Sequence, residues 1–257
     1  MIANYHTHTV RCGHAEGSER DYVRRAMEGG LKILGFSDHT PYDYFDSEPR
    51  NRPIRMSPEE LPDYTAAVRT LAEEYRGQIQ IHLGVEAEYY PKYFSRLLEL
   101  LRENGVEYMI LGQHFLGNEI GDSYAGRPTL DKKQLERYVG QTREAMETGL
   151  FSYFAHPDLM RYVGSRTVYE REMRKLCRAA KENGMPLELN LLGIREGRHY
   201  PNVRFWRIAA EEGNPVILGC DAHRPVDAWD PESEGKALAL AERLGLRVLD
   251  SLSLRKL

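Results

Sequence analysis

Apolar residues along the chain fall into short runs, separated by longer stretches in which they recur every three or four positions. Short apolar runs read as strands buried on both faces, and the longer recurrence reads as helices with one apolar face. The first strand falls at residues 1–5. A helix comes next, with Ser18 at its N-cap, Tyr22, Val23, Ala26 and Met27 on one face, and Gly29-Gly30 at its end. Residues 33–36 read as the second strand. Residues 40–56 are polar, aromatic and proline-containing, and read as a loop. Ser57, Pro58 and Glu60 then mark a helix start, a capping box with proline in the first turn, and Leu61, Tyr64, Val68, Leu71 and Tyr75 form its apolar face.

The same alternation continues to the C-terminus. A strand at 79–85 precedes a helix at 93–103, stopped by Asn104-Gly105. A strand at 108–111 leads through a glycine-rich loop at 117–128 to a helix at 131–148. Strands at 151–155, 186–189 and 215–218 precede helices at 168–183, 203–212 and 232–244. A final run at 247–249 reads as either a last strand or a packed tail. Seven strand–helix units with no Ser/Gly-rich linker predict a parallel sheet with right-handed crossovers, either closed into a barrel or open and doubly wound. No GxGxxG comes after the first strand, so dinucleotide binding has no support.

Composition changes this picture little. The 257 residues are 41% hydrophobic and 29% charged, within the range of a globular protein able to bury a large core. The net charge of -4 offers no basic excess for a nucleic-acid partner. Cys12, Cys177 and Cys220 form no CxxC pair and no disulfide framework, which fits a reducing cytoplasm. No N-terminal stretch reads as a signal peptide, and no apolar run approaches the roughly 20 residues that span a bilayer.

The histidines change the picture most. Six predicted strands deliver an imidazole or a carboxylate at their C-terminal ends: His6 and His8, His39, Glu86, His114, His156, then Asp221 and His223. His14 lies in the loop after the first strand. In a parallel barrel those ends open on one face, so the side chains converge. His6-Thr7-His8 also has strand spacing, which points both rings to the same side. A lone histidine at a strand end is more often a hydrogen-bonded loop residue, and an HxH pair alone is weak. Recurrence at nearly every strand end is what points to a metal site, of a kind that suits zinc, manganese or iron. His82 reads as structural, and His199 as a loop residue that could face a substrate.

These motifs together resemble the PHP (polymerase and histidinol phosphatase) superfamily: His6-Thr7-His8, Asp38-His39, Glu86, His114, His156 and Asp221-Ala222-His223, running from residue 6 to residue 223. The resemblance implies one PHP-type domain over 1–257, an α/β fold of the distorted (β/α)7, TIM-like barrel type, and two or three divalent metal ions. It implies that His6, His8, Glu86 and Asp221 hold one metal, that Glu86 bridges to a second on His114 and His156, and that His14, His39 and His223 hold a third. Glu88 is a rival to Glu86. Length and context are similar to those of the monofunctional histidinol-phosphate phosphatases, through the 40–56 loop, His156-Pro157-Asp158-Leu159-Met160-Arg161, and Leu187-Glu188-Leu189-Asn190 with Gly193-Ile194-Arg195 just beyond.

The resemblance implies phosphomonoester hydrolysis, with L-histidinol phosphate as the expected substrate. Three divalent cations less two carboxylates leave the pocket at about +4, suited to a dianionic small molecule. A water held between two metals would have its pKa lowered toward about 7 and serve as nucleophile. Arg161, Arg195, Arg198 and His199 are the candidates for binding substrate, since a guanidinium matches phosphate oxygens. Tyr42, Tyr44 and Phe45 could cover it. Asp38 reads as an orienter of a ligand histidine. Competing readings are a phosphoesterase on phosphodiester, nucleotide or phosphotyrosine, a metal-binding module without catalysis, and an amidohydrolase.

Overall fold

The strand-forming runs pair in strict chain order. The structure, a computed structural model, describes residues 1–46, 54–117 and 124–257. Parts of the two expected loops, 47–53 and 118–123, therefore lie outside the described residues. Among the described residues one parallel sheet has eight strands: β1 (Ala3–Asn4), β2 (Ile33–His39), β3 (Gln80–Ala87), β4 (Tyr108–Leu111), β5 (Phe151–Phe154), β6 (Leu187–Asn190), β7 (Pro215–Gly219) and β8 (Arg247–Val248). The helices are α1 (Glu19–Glu28), α2 (Glu60–Glu74), α3 (Phe94–Glu103), α4 (Lys132–Glu147), α5 (Arg166–Glu182), α6 (Leu191–Arg195), α7 (Val203–Glu212) and α8 (Pro231–Leu244). Together they form an α/β, TIM-like barrel.

The seven expected units are present, with differences at their edges. The final run becomes both alternatives: β8 pairs with β7, and the residues after it pack as a tail. Short α6 continues directly from β6, because the Asn190 side chain caps it at Gly193 N (2.9 Å). Helix α2 starts at Glu60 rather than at the expected cap. Only half of the expected box forms there, with Ser57 N donating to Glu60 Oε2 (2.7 Å). At α1 the expected N-cap Ser18 goes further and forms a complete capping box with Asp21.

Among the described residues, the barrel closes only at its C-terminal mouth. Thr7, beyond β1, bridges Ala222, beyond β7, with His8 N donating to Ala222 O (2.9 Å) and Ala222 N to His6 O (3.2 Å). At the opposite end the tail fills the gap. Leu249, Leu252 and Leu254 pack on Tyr5, Tyr108, Tyr153 and Ile217 inside the barrel. Tyr5 and Tyr108 are anchored by their hydroxyls, Tyr5 to Leu252 O (3.4 Å) and Tyr108 to Tyr5 O (2.9 Å). An apolar plug thus seals the bottom, and a polar layer is left at the top.

Candidate metal centre

That polar layer begins with β2 and β3 lying in register. His39 pairs with Glu86 across the ladder, so the two side chains emerge together at the mouth. Glu86 is 1% exposed and lies at the centre. Its Oε1 meets His156 Nε2 (2.9 Å) and His114 Nε2 (3.6 Å), and its Oε2 meets His39 Nδ1 (3.1 Å), His6 Nε2 (3.6 Å) and His8 Nε2 (3.6 Å). Asp221 Oδ1 closes the other side on His8 Nε2 (3.2 Å) and His6 Nε2 (3.5 Å). The remaining rings stack around His8, with His223 at 4.1 Å, His39 at 4.6 Å and His14 at 6.1 Å between centroids. All seven histidines and both carboxylates expected from the strand ends and the first loop are thereby brought together. His14 is the exposed member, at the rim.

Two glycines make room for this. A Cβ on Gly112, beyond β4, would fall on Glu86 Oε1, and one on Gly219, at the end of β7, would fall on Glu188 Oε2. His156 and Asp221 adopt φ of +35° and +47°. Left-handed backbone at a residue with a side chain costs about 1–3 kcal/mol and survives only where the surroundings enforce it.

Outer contacts turn the rings. His6 Nδ1 donates to Glu188 Oε2 (2.8 Å), His114 Nδ1 to Glu88 Oε1 (3.1 Å), His14 Nδ1 to Cys12 O (3.0 Å) and His223 Nδ1 to Asp221 O (3.2 Å). His8 Nδ1 faces Asp38 Oδ1 (3.4 Å), and Asp38 is itself fixed by Thr9 and by His39 N (2.8 Å). With Nδ1 engaged, Nε2 of these rings points inward, as it does in histidines that hold metals. Among the described residues, buried atoms of the cluster approach one another without hydrogen-bond geometry and have no hydrogen-bond partner: His6 Nε2, His8 Nε2, His39 Nδ1, His156 Nδ1, His223 Nε2 and Glu86 Oε2. Orphaned polar atoms in a protein core cost about 1–3 kcal/mol each, and divalent metal would satisfy them.

The electrostatics agree. Burial alone would raise Glu86 and Asp221, but the surrounding imidazoles hold both well below the usual carboxylate range. Burial would lower His6 and His8. Asp221, Glu188 and Glu86 instead raise His6 well above the ordinary value, while Asp221 and Asp38 raise His8 to about 9. Burial and neighbouring rings push His39 and His223 well down. Sets such as His6, His8 and Glu86, or His8, His39 and His223, have ligand atoms within 4.8 Å of one another and could hold an ion. The second set cuts across the division implied by resemblance, because His8 stacks on His223 more closely than on His6 (5.2 Å).

The candidates for binding substrate divide. A cavity of about 480 Å³ above the cluster is lined by Arg198, with Arg127, Glu196, Tyr124 and Tyr200. Arg198 Nη1 donates to Tyr200 Oη (2.9 Å), and its Nε (2.8 Å) and Nη2 (2.7 Å) pair with Oε2 of the exposed Glu196. Arg161, Arg195 and His199 do not line it. Arg161 is exposed, and His199 Nε2 bonds Leu159 O (2.8 Å). Arg195 is committed to Asp230 (3.0 Å) and Asp227 (3.3 Å), so its guanidinium is not free for phosphate. Tyr42, Tyr44 and Phe45 pack into the core rather than over the cavity, with Tyr44 Oη against Thr40 Oγ1 (2.9 Å). Glu88 pairs with Arg55 Nη2 (2.6 Å) and with His114, which removes it as a rival to Glu86. His82 sits apart, on Glu107 (3.1 Å).

Sequence reasoning missed Glu188, Asn190, Arg55 and Arg127. The first had a visible signal: a glutamate between leucines in a buried strand must find a partner.

The PHP domain profile matches residues 4–191. A probable histidinol-phosphatase from Deinococcus radiodurans is 30% identical over 231 residues, covering 87% of each chain. The histidinol-phosphatase of Bacillus subtilis is 25% identical, covering 86% of this chain and 93% of its own. A histidinol phosphate phosphatase from Lactococcus lactis, solved with zinc, L-histidinol and phosphate, shares the fold at a TM-score of 0.74 and 20% identity, over 98% of this chain and 97% of that one.

Proposed function

The chain belongs to the PHP domain family, and we propose that it is a metal-dependent phosphomonoesterase that hydrolyses L-histidinol phosphate to L-histidinol and phosphate. The observation that carries the metal-dependent part is the set of orphaned, buried ligand atoms of His6, His8, His39, His156, His223 and Glu86. His14, His114 and Asp221 complete the proposed set. The substrate rests on the names of the relatives: 30% identity to one named for histidinol phosphate hydrolysis supports it more than it supports other phosphoesters. We read 1–257 as one such domain, working in the cytoplasm. No described helix is long and apolar enough to cross a membrane.

When bound, two or three divalent ions of zinc, manganese or iron would supply Lewis acidity to the phosphoryl group and an activated water. The protein's own residues do the rest. Glu188, Asp38 and Glu88 fix the rings of His6, His8 and His114. Arg127 and Arg198 line the cavity above the cluster; Arg127 is the guanidinium placed to orient phosphate oxygens, and Arg198 joins it where phosphate displaces the exposed Glu196 from it. Leu159, Leu192 and Phe115 give the cavity an apolar wall that limits water around the ester.

Turnover of L-histidinol phosphate, nucleotide and phosphotyrosine esters, with metal measured on the same sample, tests the reading. His6→Ala and Asp221→Ala are expected to abolish hydrolysis and lower bound metal. Dialysis against chelator is expected to remove activity, and zinc or manganese to restore it. Full activity in a protein free of metal would sink the proposal. Preference for a nucleotide or phosphotyrosine would replace the substrate while keeping the chemistry.

A further inference from the structure

Of strands β1 to β7, β6 alone ends without a candidate ligand among the described residues, yet its own last residues touch candidate ligands from two other strands, and α6 beyond it reaches the backbone of one of them. Asn190 Nδ2 donates to Asp221 Oδ2 (3.0 Å) and to Glu188 Oε1 (2.7 Å), and Glu188 holds His6. At the far end of α6, Arg195 Nη2 reaches the carbonyls of Cys220 (3.3 Å) and Asp221 (3.4 Å). Its other nitrogens are moored to Asp230 Oδ2 (3.0 Å) and Asp227 Oδ1 (3.3 Å). Asp221 itself sits at φ +47°, a conformation that needs outside support.

We infer that Arg195 is a positioning residue for the metal centre. Moored to Asp227 and Asp230, its guanidinium holds the left-handed turn at Cys220-Asp221 from behind while Asn190 holds the Asp221 carboxylate from the side. The carboxylate is thus aimed at His6 and His8 before any metal arrives. Arginine suits the task because its planar fork serves two carbonyls and two carboxylates at once. Lysine would keep the charge and lose the span. This inference rests on the proposed metal centre.

Zinc affinity by competition with a chromophoric chelator, and zinc content by elemental analysis, read this out without substrate. Arg195→Met is expected to weaken zinc binding about 10–100-fold, the usual effect of losing an outer contact to a ligand. Arg195→Lys is expected to fall between it and the parent. Arg224→Ala is the control. Arg224 also pairs with Asp227 (3.0 Å), but among the described residues no hydrogen bond joins its side chain to the turn, so zinc affinity should stay within about twofold. Melting of the metal-free proteins shows whether each variant folds. If Arg195→Met does not fold, Arg195→Lys decides. Zinc affinity within about twofold of the parent in the deciding variant overturns the inference, whatever happens to melting. A parent protein that binds no zinc overturns both this inference and the metal centre, whereas unchanged variants of a zinc-binding parent overturn this inference alone.

Discussion

Gly112 and Gly219 are the places where the absence of a side chain matters most. Each lets a buried glutamate occupy the barrel, Glu86 at the centre of the histidines and Glu188 behind His6. A methyl group at 112 would displace the Glu86 carboxylate, and five imidazoles would lose their common partner. Gly112→Ala is therefore expected to lower metal content and to cut hydrolysis at least about 100-fold, a magnitude at the top of the range for disturbed ligand shells. Circular dichroism of the variant should remain that of the parent, because Gly112 lies past the end of β4 and interrupts no ladder. Unchanged metal content would show that Glu86 can retreat without consequence.

Elements decide what is legible in this sequence. The strand ends stand out, since His6, His8, His39, Glu86, His114, His156, Asp221 and His223 each come after an apolar run, and a parallel sheet has one face for all of them. Residues that act from behind do not. Arg55 reaches Glu88 from a segment whose local pattern says only loop, and Arg195 reaches Asp221 from a one-turn helix too short to leave a periodic signal. Motif context points to Arg161 and Arg195, but context carries no information on where a guanidinium turns. Arg127, which does line the cavity, stands in a glycine-rich loop. Helix α7 shows the same tie between elements. Asp158, in the loop after β5, accepts from Asn202 N (2.5 Å) at the start of α7 and from Trp206 Nε1 (3.0 Å) within it. Asp158→Ala would leave both donors unmet and is expected to cost about 1–3 kcal/mol in urea unfolding. Asp158→Asn keeps an acceptor and should recover part of that loss. Equal stability of the alanine variant would mean that α7 docks through its apolar face alone.

Across the whole molecule, Tyr5, just past β1, and the C-terminal tail meet at the bottom of the barrel, opposite the proposed metal ligands. Removing residues 249–257 would uncover Tyr5, Tyr108 and Ile217 and take away four half-buried leucines, Leu249, Leu252, Leu254 and Leu257, at roughly 1 kcal/mol each, or about 4 kcal/mol in all. The truncated protein is expected to melt earlier in the metal-free form yet to load the same amount of metal per folded molecule. A loss of metal stoichiometry instead would show that bottom and mouth are coupled. Tyr5 and Leu252 are partners 247 positions apart, and the mouth is joined by Thr7 and Ala222. On the ribosome, then, the first strand emerges with neither of its late partners yet made. His6 and His8 must wait, in company with whatever ions the cell offers, until Asp221 and His223 leave the exit tunnel. Contacts so distant in sequence also slow folding. A metal that needs both halves of the proposed set can therefore be held only once residue 223 has been made, and cells short of that metal would hold a folded barrel whose proposed ligands are still open to competitors.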